Sequence, residues 1–252
     1  MIEIVDLFKS FKGQPVLKGV SLQVPKGRIL VIIGGSGVGK SVLLKHIIGL
    51  LQPDSGHIYV DGEDMCHLRS GKLRESRKKF GMLFQGSALF DSMTVGENVA
   101  FPLREHTRMR DKEIRARVKD LLAKVGLYGI EDKYPSELSG GMRKRVGLAR
   151  ALILEPEIVL FDEPTTGLDP IMSDVINRLI LSTQKRLALT LVIISHDVKS
   201  AFHLADGIAF LYKGKILQSG SPEEIRASQD PVLQQFLSGS AEGPITAAEL
   251  EV

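Results

Sequence analysis

The sequence predicts an α/β fold in which helices cover both faces of a mostly parallel sheet. Strand-like runs alternate with longer helical stretches along the 252-residue chain, an order typical of parallel sheets. Several of these runs are continuously apolar, as in "ILVII" at 29–33 and "IVLF" at 158–161, which is expected for strands buried on both faces. The length suits one large domain, or one domain with an appended subdomain.

The N-terminal part predicts an antiparallel β subdomain and then the first buried strand. Residues 2–11 and 17–24 alternate partly between apolar and polar residues and are joined by the turn "KGQP", as in paired strands. The apolar strand 29–33 leads through a glycine-rich turn into a helix from Lys40 to about Leu50. The turn "QPDSG" ends this helix, and "HIYVDGEDM" returns as a strand.

The middle of the chain predicts a mainly helical subdomain over residues 86–155. Two stretches, 69–79 and 104–119, are dense in charged residues. The segment "DKEIRARVKDLLAKVGL" has the pattern of an amphipathic helix. Its apolar face consists of Ile114, Val118, Leu121, Leu122 and Val125.

The C-terminal half predicts further alternation of strands and helices. "EIVLFDE" is a buried strand before a helix over 171–187, and "LTLVIISHD" is another before a helix over 197–205. The hairpin "IAFLYKGKILQSG" follows. We expect residues 1–237 to form a single domain, and the small, polar tail 238–252 to be disordered when alone.

Composition limits the class of protein. Apolar residues make up 43% of the chain and charged residues 25%, and the net charge is +3, which suits an anionic ligand or a membrane surface without identifying either. The single cysteine, Cys66, cannot form an internal disulfide. We see no signal peptide and no apolar run of the roughly 18 residues that a membrane span needs. We therefore expect a soluble, cytoplasmic chain that needs a partner for any work across a membrane.

A phosphate-binding loop is predicted at "GGSGVGKS", between a buried strand and a helix. Its glycines let successive backbone N–H groups form an anion nest, and the helix dipole adds positive charge. Lys40 is expected to reach the β- and γ-phosphates of ATP, and Ser41 to bind Mg²⁺. An ordinary glycine-rich turn is the alternative. The residues expected to contact ATP are Gly34, Gly35, Ser36, Gly37, Val38, Gly39, Lys40, Ser41 and Val42.

Two adjacent acids, Asp162 and Glu163, follow the apolar strand 158–161. They are expected at the carboxyl edge of the sheet, where open α/β sheets bind ligands. Asp162 would hold Mg²⁺ through a water, and Glu163 would orient and polarise the attacking water. Read alone, such a pair is a turn or a cap; the phosphate loop favours the catalytic interpretation.

Two further polar residues follow apolar runs, His196 in "LVIISH" and Gln85 in "MLFQ". A single histidine or glutamine at a strand end is ordinarily structural. Because both nucleotide motifs are present, we expect His196 to sense the γ-phosphate and Gln85 to reach Mg²⁺ and the attacking water.

The segment "LSGGMRKR" at 138–145 predicts a second anion-binding helix N-terminus. Ser139 is a favourable N-cap for a helix that extends toward Leu154. One nucleotide has one set of phosphates, so this turn is expected to serve the nucleotide of a second copy of the chain.

The motifs stand in the order found in the nucleotide-binding subunits of ABC transporters, and residues 1 to about 225 resemble that family. Gln85 matches the Q-loop, "LSGG" the signature, "IVLFDE" the second Walker motif, "TTGLD" the D-loop and "SH" the switch histidine. The resemblance implies a P-loop NTPase core with an inserted helical subdomain, and ATP and Mg²⁺ as ligands. It also implies that Phe11 stacks on adenine; a core strand aromatic is the alternative.

The same resemblance implies a head-to-tail homodimer with two ATP molecules between its chains. ATP would close the dimer and hydrolysis would reopen it. Met142 stands where the wider family has glutamine, which puts side-chain contacts from that position in doubt. The partner chain would contribute Ser139, Gly140, Gly141 and Asp169.

A narrower resemblance is to the ATPases of MCE-linked lipid transporters. It rests on "LSGGMRKRVGLARAL", "GSALFDSMTVGENVAFPL" and the ending "QQFLSGSAEGPI". It implies phospholipid cargo, an inner-membrane permease, an MCE-type protein, a small regulatory subunit, and a tail that packs in the dimer. The matching tail positions are Phe236, Leu237, Gly239, Ala241, Gly243 and Pro244.

Other functions stay open on sequence grounds. An ABC ATPase for a metal, amino acid or ion, and a soluble ABC ATPase without a transporter, share every nucleotide motif. A chromosome-maintenance ATPase would need long coiled-coil insertions, which the sequence does not predict. The basic run 69–79 is expected to be a solvated or membrane-facing surface rather than a nucleic-acid site.

Overall fold

The computed structural model describes residues 1–246 of the chain. The strands are β1 Ile2–Phe11, β2 Gln14–Val24, β3 Ile29–Ile33, β4 Ser55–Val60, β5 Glu63–Asp64, β6 Phe80–Leu83, β7 Ile158–Asp162, β8 Thr190–Ser195, β9 Gly207–Tyr212 and β10 Lys215–Gly220. The helices are α1 Lys40–Ile47, α2 Ser70–Arg77, α3 Val95–His106, α4 Asp111–Lys124, α5 Gly140–Leu152, α6 Pro170–Leu187, α7 Val198–Leu204, α8 Pro222–Arg226 and α9 Pro231–Ser238.

The chain forms two compact units. The first consists of Met1–Arg77 and the chain from Thr190 onward, and the second of Lys78–Leu189. The predicted helical subdomain, 86–155, lies wholly inside the second unit. That unit also contains β6, β7 and α6, which the sequence assigned to the core.

The first unit combines an antiparallel sheet with parallel strands, as predicted. The antiparallel sheet has the order β2-β1-β4-β5. Strand β3 pairs in parallel with both β8 and β9, and β10 pairs antiparallel with β9. All five residues of β3 are buried, because apolar side chains on both of its faces are covered.

The second unit contains one parallel pair, β6 with β7, and helices α3 to α6. Helix α4 buries three residues of the predicted apolar face, Ile114, Val118 and Leu122, and Val125 at its C-terminal end is also buried. Leu121 is only partly covered. The α/β class predicted from the sequence is therefore confirmed in both units.

Two boundaries and one helix differ from the sequence prediction. The turn between β1 and β2 is two residues, 12–13, because β2 already begins at Gln14. Helix α1 ends at Ile47 rather than near Leu50. The basic run contains a helix, α2. The pattern of apolar and polar residues did not predict it, because the helix is rich in charged residues and only Ser76 is buried.

The tail prediction is wrong for the residues just after α9. The buried side chain of Gln235 donates to the carbonyls of Ser240 and Ile245 and accepts from the Ile245 N–H, at 3.2, 2.9 and 2.6 Å. One amide therefore closes residues 240–245 into a compact hook. Residues 247–252, the remainder of the predicted tail, lie outside the described residues.

No helix within residues 1–246 has both the length and the apolarity needed to cross a membrane.

Candidate functional site

The glycine-rich loop of the first unit lies between β3 and α1. Gly39 is the N-cap of α1 in a left-handed conformation, φ 104°, which glycine adopts without strain. A Cβ at Gly34 would come within 2.3 Å of the Leu211 carbonyl oxygen, so the turn passes too close to β9 for a side chain. The loop therefore presents its backbone directly ahead of a helix N-terminus, as an anion nest requires.

The ammonium of Lys40 lies across this loop. Lys40 is 7% exposed, and its Nζ donates to the carbonyls of Gly34 and Gly35 at 2.8 and 2.7 Å. An ammonium at this position of the loop suits the binding of an anion, because hydrogen bonds between charged groups are stronger than those to neutral carbonyls. Ser41, the next residue of α1, is partly exposed.

The acid pair of the second unit terminates β7. Asp162 is the last residue of the strand, and both carboxylate residues are buried, at 7% and 8% exposure. Glu163 has φ 52°, an uncommon conformation for a residue other than glycine that is found at functional sites. Its Oε2 accepts from the hydroxyl of Thr166 at 3.1 Å. Backbone and side chain therefore hold the Glu163 carboxylate in one orientation.

A buried lysine links this acid to the segment after β6. Lys144 of α5 is 6% exposed, and its Nζ donates to the backbone carbonyls of Gln85 and, at 3.3 Å, of Glu163. Burial lowers the pKa of Lys144, against the opposing effect of the Asp162 and Glu163 carboxylates. Gln85 itself is exposed, so this bond fixes its backbone while the residue stays accessible to solvent.

Arg150, also on α5, holds the next turn of the same segment. Its guanidinium donates to the carbonyls of Ser87 and Ala88 at 2.6 and 2.7 Å. Both turn residues have positive φ, 62° and 46°. The two carbonyls thus share one planar donor, which stabilises an otherwise unfavourable turn.

The second glycine turn opens α5, as predicted. Ser139 is the N-cap, and its Oγ accepts from the Met142 N–H at 3.3 Å. A Cβ at Gly140 would contact the side chain of Leu168, and one at Gly141 would contact the side chain of Met172. Ser139 is exposed, so this helix N-terminus is open to an anion supplied from outside the chain.

Asp169 caps the neighbouring helix. Its Oδ1 accepts from the N–H groups of Ile171 and Met172 at 2.9 and 3.0 Å. Asp169 is exposed and Ile171 is 77% exposed. The start of α6 therefore presents both polar and apolar groups to solvent.

The remaining predicted residues, Phe11 and His196, belong to the first unit. Phe11 ends β1 and is 42% exposed, with the Lys9 ammonium 5.5 Å from its ring centroid. This exposure removes the alternative that Phe11 is a core aromatic. His196 directly follows β8 and is exposed, which does not fit a packed structural histidine.

Each unit thus gathers part of the predicted set. The first contains Phe11, the phosphate loop and His196, whereas Gln85, the signature turn, the acid pair and Asp169 belong to the second. Sequence reasoning missed Lys144, Arg150 and Thr166. The first two carried a signal, since they are basic residues in a helix whose other inward positions are apolar or small.

Comparisons with known proteins agree on one family. The family model described as "ABC transporter" matches residues 17–166. The "Intermembrane phospholipid transport system ATP-binding protein MlaF" of Haemophilus influenzae is 44% identical over 245 residues, covering 97% of this chain and 93% of that protein. The "Probable ribonucleotide transport ATP-binding protein mkl" of Mycobacterium tuberculosis is 45% identical over 248 residues, covering 98% and 69%.

The fold agrees with solved structures of the same kind. A dimeric ATP-binding cassette in a post-hydrolysis state, bound to ADP and Pi, superposes with a TM-score of 0.82 at 31% sequence identity. The match covers 88% of this chain and 99% of that one.

Proposed function

The chain belongs to the ABC transporter family and is an ATPase of that family, and from this we propose that it powers phospholipid transport between inner and outer membranes. ATP binding would close a head-to-tail dimer of two such chains, and hydrolysis would reopen it. The observation that carries the lipid assignment is the 44% identity with MlaF over nearly the full length of both proteins.

The phosphates would bind at the loop of the first unit. Lys40 would exchange its bonds to the Gly34 and Gly35 carbonyls for charge-assisted bonds to the β- and γ-phosphates. The exposed ring of Phe11 would stack on adenine. The loop residues that would contact ATP are Gly34, Gly35, Ser36, Gly37, Val38, Gly39, Lys40, Ser41 and Val42.

Mg²⁺ would be held by Ser41, Gln85 and Asp162. These residues fit the ion, because hydroxyl, amide and carboxylate oxygens are the hard donors that Mg²⁺ prefers. When bound, Mg²⁺ neutralises charge on the phosphates. Asp162 ends β7 directly before Glu163 and is buried, and its carboxylate would supply a charged oxygen donor to the ion.

Hydrolysis would depend on Glu163 and His196. Glu163 would accept a hydrogen bond from the attacking water and polarise it, with Thr166 and the strained backbone keeping its carboxylate aimed. His196, which is exposed after β8, would donate to the γ-phosphate. Gln85 would help to orient the water.

The second glycine turn would serve the nucleotide bound to the partner chain. The exposed N-cap Ser139 and the free start of α5 support this, as do the dimeric relatives of known structure. Met142 keeps its backbone role, because its N–H is bound by Ser139. The residues acting on the partner's ATP would be Ser139, Gly140, Gly141 and Asp169.

The transport partners would lie in and beyond the membrane. We propose an integral-membrane permease, an MCE-type substrate-binding protein and a small regulatory subunit, with this chain peripheral on the cytoplasmic face of the inner membrane. No nucleic acid is expected to bind.

Ribonucleotide transport is a second candidate, favoured by the 45% identity with the protein named mkl, of which this chain covers 69%. It keeps the ATPase chemistry unchanged and replaces only the cargo and the permease.

One experiment separates these functions. The tagged chain would be purified from detergent-solubilised membranes of its source, with an untagged strain as the control, and its proteins and lipids identified by mass spectrometry. A multi-spanning permease with an MCE-type protein and phospholipid is the expected result. A different permease would change the cargo. Soluble partners alone would overturn the transport proposal and leave the ATPase.

A further inference from the structure

Two histidines and an aspartate of the first unit converge on one point at the edge of the antiparallel sheet. The Nδ1 atoms of His57 and His67 each lie 2.8 Å from the same oxygen of Asp64, Oδ2. The three side chains offer ligand atoms that all lie within 4.8 Å of one another. We propose that His57, Asp64 and His67 form a binding site for Zn²⁺, outside the nucleotide site.

The backbone brings these side chains together independently of any ligand. His57 lies on β4, and Asp64 on β5, which pairs with β4 through Tyr59 and Val60. The N–H of Met65 continues this pairing to the Ile58 carbonyl at 2.8 Å. His67 therefore follows a segment that is fixed to the strand carrying His57.

The carboxylate of Asp64 is oriented by its second oxygen. Oδ1 accepts from the Cys66 N–H at 3.0 Å, which leaves Oδ2 facing the two imidazoles. A ligating carboxylate with its other oxygen bonded to the backbone is the usual outer-shell arrangement of metal sites. The Cys66 thiol also interacts with the Asp64 carboxylate, but it is not one of the three converging ligand groups.

The spacing of the donors suits a first-row metal ion. Ligands about 2.0–2.1 Å from zinc, at angles of about 90–110°, lie about 2.9–3.4 Å apart. The two nitrogen–oxygen separations are 2.8 Å, the length of hydrogen bonds, so the side chains need to move apart only slightly to bind the ion. Two imidazoles and one carboxylate favour zinc over magnesium, which prefers oxygen donors only. The donor set therefore distinguishes this site from one for Mg²⁺.

Solvent has access to the site. The side chains of His57 and His67 are 45% and 70% exposed, and that of Asp64 is 21% exposed. A cleft of about 320 Å³ lies beside them, lined by both histidines, Cys66 and residues 52–56. Three protein ligands leave a coordination position for water. The ion would clamp β4, β5 and the segment leading to α2.

The test is titration of Zn²⁺ into the full-length, tag-free chain by calorimetry, without nucleotide. We expect one equivalent to bind with micromolar affinity, and thermal unfolding to shift upward relative to EDTA-treated protein. Excess Mg²⁺ should not compete. Asp64→Asn, which keeps the shape of the side chain, and His67→Ala should each weaken binding about tenfold or more.

Three controls make the result decisive. His106→Ala and His203→Ala remove exposed histidines from elsewhere and should leave binding unchanged, as should Cys66→Ser. No saturable binding at all would overturn the proposal and identify an ordinary hydrogen-bonded cluster. Unchanged affinity in Asp64→Asn, or loss of binding in Cys66→Ser, would overturn the ligand set proposed here. ATP binding by the same variants tests the proposed function separately and should remain normal.

Discussion

The ammonium of Lys144 lies 3.3 Å from the backbone carbonyl oxygen of Glu163 and also donates to the carbonyl of Gln85. One buried cation of α5 therefore ties together the segments that carry the proposed catalytic acid and the Q-loop. Ser139, at the start of the same helix, is the proposed contact to the partner's nucleotide. Movement of α5 would be transmitted to both segments through this lysine.

Replacing Lys144 tests that link. Lys144→Met keeps much of the side-chain length but leaves two carbonyls without their donor, at about 1–3 kcal/mol for each group left unsatisfied. We expect kcat to fall about tenfold or more because the acid and the Q-loop lose their common anchor, while KM for ATP changes little. Steady-state phosphate release measures both. Lys144→Arg, which retains donors, should recover much of the rate; equal kcat in all three proteins would remove Lys144 from this role.

Glu163→Gln tests the proposed catalytic acid. The amide cannot polarise the attacking water as a carboxylate does, so hydrolysis should slow about tenfold or more. ATP should still bind, and the dimer should accumulate because it closes without reopening. Phosphate release and light scattering with ATP measure the two effects. Glu105→Gln, at an exposed position of α3, is the matched control; near-normal turnover in Glu163→Gln would exclude the assigned role.

Lys40→Ala tests the phosphate loop. The variant removes the charge that would reach the β- and γ-phosphates and leaves the Gly34 and Gly35 carbonyls without this donor. ATP affinity and hydrolysis should fall together, by about tenfold or more. Equilibrium binding of a fluorescent ATP analogue and phosphate release are the measurements. The exposed Lys45 of the same helix provides the control Lys45→Ala, and persistent activity in Lys40→Ala would disprove the loop assignment.

The residues proposed to bind and hydrolyse ATP were easier to predict from the sequence than the residues that hold them in position. Lys40, Asp162 and Glu163 stand at fixed spacings from apolar strands, and strand ends are local features. Lys144 and Arg150 stand out as basic residues in a helix whose other inward positions are apolar or small, but they act through backbone carbonyls some sixty residues away, so the sequence gives no indication of their partners. The hook at Gln235 was not predicted for the same reason. A small, polar tail has the composition of a disordered segment, and the buried amide that binds it is apparent only in the folded chain.

The pH dependence of stability should include a contribution from His46 of α1. Burial is the main cause that lowers its pKa below the usual 6.5, although its Nδ1 is bonded to the Val42 carbonyl at 2.7 Å. Below pH 6.5 the unfolded chain binds a proton that the folded chain resists. Stability is therefore lost as pH falls through that range and retained above it. Urea unfolding at pH 7.5 and 5.5 measures this.

The control for that measurement is a histidine that is exposed. His46→Phe should lose part of the pH dependence, whereas His106→Ala should keep all of it. Identical pH dependence in His46→Phe and the parent chain would show that His46 makes no such contribution.

Gln235→Ala should release the C-terminal hook, because that side chain makes every bond that ties Ser240 and Ile245 back to α9. If the tail packs in the dimer, as we propose from the narrower family resemblance, losing the hook should weaken assembly, and so should deleting residues 239–252. Sedimentation velocity with ATP, in the Glu163→Gln background that holds the dimer closed, measures the association constant.

Deleting only residues 247–252 leaves the hook bonds intact and is the matched control. The core should be unaffected, since Leu233 on the buried side of α9 is unchanged in every variant. Equal dimerisation by the parent chain, Gln235→Ala and the longer deletion would show that the hook is a local cap with no part in assembly.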